Sequence, residues 1–198
     1  MEKLKLVKPT KKYKKQAIDY IQEFYKYNSK IHGVGGLCRH LDDYDGWLDK
    51  LEYDRNKIPN EEFVPAETYF LIRENDDRII GMINIRLVLN EKLIKFGGNI
   101  GYSIRPTERQ KGYNKVNLYL ALLVCQKHGI KEVLLDCDKD NPASARTMKA
   151  LGGILFKENY DETTECIIQH YRIDVDKSII NNRDKYEEYN GGIEIWNI

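Results

Sequence analysis

Asn99-Ile-Gly-Tyr-Ser-Ile-Arg-Pro-Thr-Glu-Arg-Gln-Lys-Gly-Tyr-Asn114 is the stretch whose reading decides the fold. The apolar run from Ile100 to Ile104 reads as a strand, and Pro106 ends it. A polar turn then carries Arg109, Gln110, Lys111 and Gly112, and Val116 to Val124 reads as a helix. Strand, basic glycine-containing turn and helix start together form an anion cradle. The first N–H groups of a helix have no intrahelical partners and lie at the positive end of its dipole, so a diphosphate placed there meets several donors at once. Gly112 has no Cβ, which lets the backbone approach such a ligand closely. An ordinary βα turn shares this composition, so the pattern by itself names no ligand. Two standard phosphate loops are absent: the stretch has neither Gly-x-x-x-x-Gly-Lys-Ser/Thr nor Gly-x-Gly-x-x-Gly.

Upstream of that stretch, Leu4 to Val7 predicts a short first strand. Ala17, Ile18, Ile21, Phe24 and Tyr25 recur at helical spacing, so Lys11 to Tyr27 reads as a helix. Asn28 to Leu37 is glycine-rich and irregular. Trp47, Leu48 and Leu51 share a face of a helix expected over Leu41 to Arg55, and Ile58 to Glu67 is a loop. Thr68 to Arg73 and Ile79 to Leu89 read as strands joined by Asn75-Asp-Asp-Arg78, hence a hairpin. The strand of the opening stretch is expected to begin at Phe96 or Gly97. The helix after it spans Tyr113 to His128, with Gly129 as its C-terminal glycine.

Downstream, Val133 to Cys137 is a strand. Pro142 to Leu151 is a helix with Asn141 as N-cap and Pro142 in the first turn. Ile154 to Glu158 and Cys166 to Asp174 are the last strands of the body. The pattern is α+β: antiparallel strands with inserted helices, centred on one βαβ unit. Residues 1–174 form one domain in this reading, and 175–198 a C-terminal extension. The extension is polar until Ile193-Glu-Ile-Trp196. Alternation at Ile193, Ile195 and Asn197 reads either as an edge strand or subunit contact, or as a loosely ordered terminus.

With 32 Lys and Arg against 31 Asp and Glu, the net charge is +1, which disfavours a nucleic-acid substrate or partner. Lys11, Lys12, Lys14 and Lys15 read as a solvated helix face. No apolar run approaches the ~20 residues that span a bilayer, and Met1 to Leu6 has no signal-like apolar core. Cys38, Cys125, Cys137 and Cys166 lack paired spacing. That argues against a disulfide framework or a metal site and fits a reducing cytoplasm.

The turn Arg109-Gln-Lys-Gly112-Tyr-Asn114 resembles motif A of the GNAT acetyltransferase superfamily, Arg/Gln-x-x-Gly-x-Gly/Ala. Asn114 departs from it by adding bulk where Gly or Ala is usual. Val133-Leu-Leu-Asp136-Cys-Asp-Lys-Asp-Asn141-Pro-Ala-Ser144 resembles the fifth strand and motif B helix, and Leu151-Gly152-Gly153 that helix's ending. The similarity covers roughly Thr68 to Ile173. His32-Gly33-Val34-Gly35-Gly36-Leu37 resembles a segment found before the sheet in a poorly characterised bacterial branch of these proteins. The resemblance implies a mostly antiparallel twisted sheet of six to seven strands with a central βαβ unit and helices on both faces. It also implies acetyl-CoA as co-substrate, with no metal.

Acyl transfer from a thioester to an amine requires that the thioester be held, its carbonyl polarised, the amine deprotonated and the thiolate protonated. The resemblance assigns holding to Arg109, Gln110, Lys111, Gly112, Tyr113 and Asn114. Tyr102, Ser103 and Ile104 would bind the pantetheine arm and offer a polarising N–H, in a gap where the fourth and fifth strands splay. Asn141 and Ser144 would flank the pantetheine. Asp136 is the candidate general base, where desolvation in a partly dry cleft would raise its pKa; the alternative is an Asp that caps a neighbouring loop or pairs with a cation.

The position where the resemblance puts a proton-donating Tyr holds Met148, so either another donor acts, with Tyr113, Tyr160 and Tyr171 as candidates, or the thiolate takes its proton from water or from the tetrahedral intermediate. Acceptor binding falls to the loop from Asn28 to Leu37, with His32 and Gly35, and to the loop near Asn90. The expectation is an N-acetyltransferase acting on a small-molecule amine or a protein amino group in a ternary complex, with a homodimer allowed. The alternatives are a non-catalytic acyl-CoA-binding regulatory module, motivated by Met148, and a reader of acylated protein or RNA, which the near-neutral charge disfavours.

Overall fold

Eight strands divide into two sheets in the computed structural model, which describes residues 2–194 and residue 196. The larger sheet contains β1 (Leu4–Val7), β2 (Ala66–Arg73), β3 (Arg78–Arg86), β4 (Ile100–Ile104) and β8 (Asn190–Ile193), in the order β4-β3-β2-β1-β8. Its pairings are antiparallel except for β1 with β8, which is parallel. The smaller sheet is antiparallel, with β5 (Glu132–Asp138), β7 (Cys166–Asp174) and β6 (Ile154–Asp161) in the order β5-β7-β6.

The near-continuous apolar runs of β2 and β3 are buried on both faces because helices cover both. On one side lie α1 (Lys14–Lys26) and α2 (Tyr44–Arg55), where Tyr13 and Trp47 pack against Phe70. On the other lies α4 (Tyr113–Lys127), with α6 (Val175–Tyr186) against it through Tyr119 and Tyr186. The architecture is the expected mixed one, mostly antiparallel strands with helices on both faces.

Three elements differ from the sequence reading. A short helix, α3 (Glu91–Lys95), is capped by Asn90. β4 starts at Ile100 rather than at Phe96 or Gly97, because Gly97 (φ 106°) and Gly98 (φ 56°) hold left-handed conformations that no strand continues through. The tail carries a helix and a strand: α6 is capped by Asp174, which accepts the Lys177 N–H, and β8 carries Ile193 alongside Leu6. The expected alternation partners Ile195 and Asn197 lie outside the described residues.

β4 and β5 meet at one point and then part. Asn99 donates its N–H to the Leu134 carbonyl at 2.7 Å, and its side-chain oxygen accepts the Leu134 N–H at 2.8 Å. Past that clamp β4 pairs only with β3, and the two sheets diverge. The N-terminus of α5 (Pro142–Ala150) and that of α4 lie beside the opening.

Candidate active site

A cleft of about 1000 Å³ occupies the opening between β4 and β5. Its wall on β4 follows from strand geometry. The Arg105 N–H donates to the Ile80 carbonyl of β3, and antiparallel pairs alternate in the direction their backbone groups face. Ser103 and Gly101 therefore point their backbone groups toward β3. Those of Tyr102 and Ile104 point into the cleft. The Ile104 carbonyl accepts from Arg109 Nε at 3.2 Å, so the Tyr102 and Ile104 N–H groups are the donors this wall offers. Side chains alternate too: Ser103 turns to α1, where its Oγ lies 3.0 Å from Tyr20 Oη, and Tyr102 turns toward α5.

At the end of β4 the chain makes the cradle. Gly112 caps α4 at φ 83° and Gln110 has φ 63°, so the turn coils back under the helix and leaves the N-terminal N–H groups of Tyr113 and Asn114 without side-chain caps. The turn's own cations face inward. Arg109 lies over the Phe24 ring and donates to Ser29 Oγ, fastening the turn to the start of the glycine-rich loop from Asn28 to Leu37. Lys111 pairs at 2.8 Å with the buried carboxylate of Glu108, which also holds Arg73 and Arg78. Burial alone would raise Glu108, but these three cations outweigh it and hold it below the usual carboxylate range.

Two cleft-lining cations, Lys115 on α4 and Arg146 on α5, are exposed and make no ion pair among the described residues. Their sequence signal was available: basic residues in the early turns of both helices flanking the cradle. Asn114 lies at the helix N-terminus, its amide within 3.4 Å of Thr147 Oγ1. Asn141 Oδ1 accepts the Ser144 N–H at 3.1 Å as N-cap, and Ser144 Oγ lies 2.8 Å from Tyr102 Oη. Tyr113 lines the cleft with its ring, while its hydroxyl donates outward to Glu2.

On the opposite face the cleft is bounded by Lys30, His32, Arg86, Gly97, Asp136 and Asp138. Asp136 both caps the neighbouring loop and pairs with a ring: Oδ2 accepts the Gly97 N–H at 2.5 Å and Oδ1 lies 2.9 Å from His170 Nδ1. His170, directly opposite on β7 and buried, carried no sequence signal because only the register brings it there. Beyond these, Lys30 pairs with Asp138 at 2.6 Å across the mouth. The His32 imidazole opens onto the cleft, and the crowding walls lower its pKa by removing water from the charged form. Gly35 lies away from the cleft lining, its carbonyl taken by Trp47 and Lys50. Among the described residues no cluster of His, Cys, Asp or Glu fits a metal ion, and no helix is long and apolar enough to cross a membrane.

A cradle of helix N–H groups, a strand with free donors and a long cleft between them suit a long anionic thioester beside a nucleophile. Comparison with known proteins agrees. Residues 10–154 match the family description "Acetyltransferase (GNAT) domain". Sequence comparison with curated proteins returns no significant match.

Among solved structures, the chain is similar to the spermidine/spermine N-acetyltransferase SpeG of Vibrio cholerae (12% identity, TM-score 0.63, covering 91% of this chain and 98% of that one). It is similar to the microcin C7 self-immunity acetyltransferase MccE in complex with acetyl-CoA and AMP (14%, 0.62, 88% and 93%). It is also similar to a ribosomal-protein-S5-alanine acetyltransferase of Vibrio fischeri (13%, 0.61, 87% and 92%). At these identities the likeness establishes the fold alone. The family match covers most of the chain, and the chain therefore belongs to the GNAT acetyltransferase family and is an acetyltransferase.

Proposed function

We propose that this acetyltransferase moves an acetyl group from acetyl-CoA to a primary amine, by direct attack of the amine within a ternary complex. The observation that carries this reading is the two-sided cleft. Backbone donors on Tyr102 and Ile104 face its centre, a helix N-terminus and Lys115 and Arg146 lie toward one mouth, and Asp136, Asp138 and His32 bound the other. The residues fit acetyl-CoA: the uncapped α4 N-terminus suits the diphosphate, and the Tyr102 N–H suits the thioester carbonyl, where a fixed dipole in a dry site acts most strongly. Direct attack is favoured over a covalent acyl-enzyme. Burial pushes the Cys137 thiol up to about 11, against the Ser144 hydrogen bond that opposes it, so the cleft holds no thiolate nucleophile near neutral pH.

Asp136 is the general base in this reading. Each of its oxygens keeps a lone pair after its one hydrogen bond, and its two partners fix its orientation. His32, held neutral near pH 7 by its lowered pKa, is a second acceptor for the amine proton. The acceptor is a small-molecule amine or a protein amino group, recognised on the face bearing the carboxylates. The four free thiols fit a reducing cytoplasm. Residues 1–174 form the catalytic domain and 175–198 its C-terminal extension. A homodimer would use β6, an edge strand exposing Ile154, Phe156 and Tyr160.

The test pairs binding with turnover. Acetyl-CoA is expected to raise the melting temperature, and a panel of polyamines, aminoglycosides and peptide N-termini is expected to contain an amine that releases free thiol in proportion to acetylated product. Saturating acetyl-CoA without any shift would overturn the reading.

A further inference from the structure

Departure of the thiol needs a proton, and Met148, at the position where the family resemblance would put a tyrosine, has none to give and is fully buried. The other tyrosines considered from sequence turn away: Tyr113 donates to Glu2, Tyr171 donates to Gln169, and Tyr160 is largely exposed on β6. Tyr102 alone among the described tyrosines has both its backbone N–H directed into the opening and its phenol lying across it. The ring starts on β4 and ends on the far wall, where Oη lies 2.8 Å from Ser144 Oγ at the start of α5. Asn114, at the α4 N-terminus, approaches the same hydroxyl.

From this geometry we propose that Tyr102 is the proton donor to the departing thiolate, with Ser144 as the hydroxyl that returns a proton to it. The inference rests on the acetyl-CoA reading above. The N–C bond forms as the C–S bond breaks, and the C–S electron pair goes to sulfur. The Tyr102 phenol proton follows that pair, while the amine loses its proton to the carboxylate side of the cleft. Ser144 donates to the Tyr102 oxygen, and once the products leave, the proton taken up on the carboxylate side returns to Ser144 through bulk solvent, so the protein ends as it began. Burial raises Tyr102 well above an ordinary phenol, which keeps it in the protonated, donating form. A thiolate in the same dry space lacks water as well, so a neutral donor within reach stabilises it more than solvent would. Placing the acid on the strand that polarises the carbonyl also explains how Met148 is tolerated: the proton donor has moved from α5 to the wall facing it.

Y102F and S144A, each verified as folded by circular dichroism, test the assignment. With any amine that wild type acetylates, Y102F is expected to lower kcat by about 10²-fold or more, the range for losing a general acid, with the KM for acetyl-CoA little changed; S144A is expected to lower kcat less. A second readout needs no acceptor. The thiol of bound free CoA, titrated by the ultraviolet absorbance of its thiolate, is expected to ionise at higher pH in Y102F than in wild type. Unchanged kcat together with unchanged thiol titration in Y102F would overturn the assignment while leaving the acetyltransferase reading intact. Failure of wild type to bind CoA or acetyl-CoA would overturn both.

Discussion

Glu108 is the residue on which the cradle's charge is settled. It is 4% exposed and meets three cations, so its single buried carboxylate offsets part of the positive charge gathered around the turn. Because its pKa is lower folded than unfolded, the unfolded chain takes up the proton first as the pH falls. Its contribution is complete above the ordinary glutamate value of about 4.3 and drains away as pH drops through the folded value. E108Q is expected to cost about 2–3 kcal/mol at neutral pH, the range for losing charged hydrogen bonds with buried partners left over. It should also flatten the acid limb of the stability profile, which urea titrations at several pH values would measure.

Lys115 and Arg146 are the free charges by contrast. K115E and R146E are each expected to weaken acetyl-CoA binding about tenfold, by calorimetry, with little change in melting temperature of the free protein. G112D, at φ 83° and facing the anion, is expected to abolish the acetyl-CoA-induced thermal shift. At this scale the sequence was legible where spacing along the chain fixes geometry, as at Gly112, Asn141 and Ser144. It was illegible where partners meet across strands: nothing near Asp136 announces His170, 34 positions away.

The decisive relation among elements is the parting of β4 from β5. Two hydrogen bonds at Asn99 hold the vertex, and a third from its amide to the Arg86 carbonyl ties the vertex to β3. N99A is expected to loosen the vertex, seen as faster hydrogen exchange at the Leu134 amide and a lower melting temperature. Unchanged Leu134 exchange would contradict that role. Element types were readable from periodicity and punctuation for most of the chain. The exceptions have local causes. α3 is a single capped turn, below the length at which periodicity carries information. α6 buries Val175, Ile179 and Tyr186 among polar neighbours, so its apolar stripe is too thin to stand out.

Across the whole molecule, the tail closes the sheet. β8 covers the outer edge of β1, and the Trp196 ring lies near Lys8 and Arg55. Truncation after Tyr189 would open the β1 edge. It is expected to lower the melting temperature and promote aggregation, read by light scattering, whereas a purely appended tail would leave both unchanged. The sequence left this segment between two readings because a parallel pairing with β1 spans nearly the full chain and has no short-range signature.

The glycine-rich loop from Asn28 to Leu37 is fastened to β4. Ser103 Oγ donates to the His32 carbonyl at 2.6 Å, and Gly33 lies so close to Gly101 that a Cβ there would strike the Gly101 carbonyl. Neither can shift without the other. In the proposed ternary complex an amine seated against the loop would bias the same strand that would grip the thioester, which links the two affinities thermodynamically. By reciprocity, each substrate should tighten the other by the same factor, a symmetry that calorimetric titrations run in both orders would reveal.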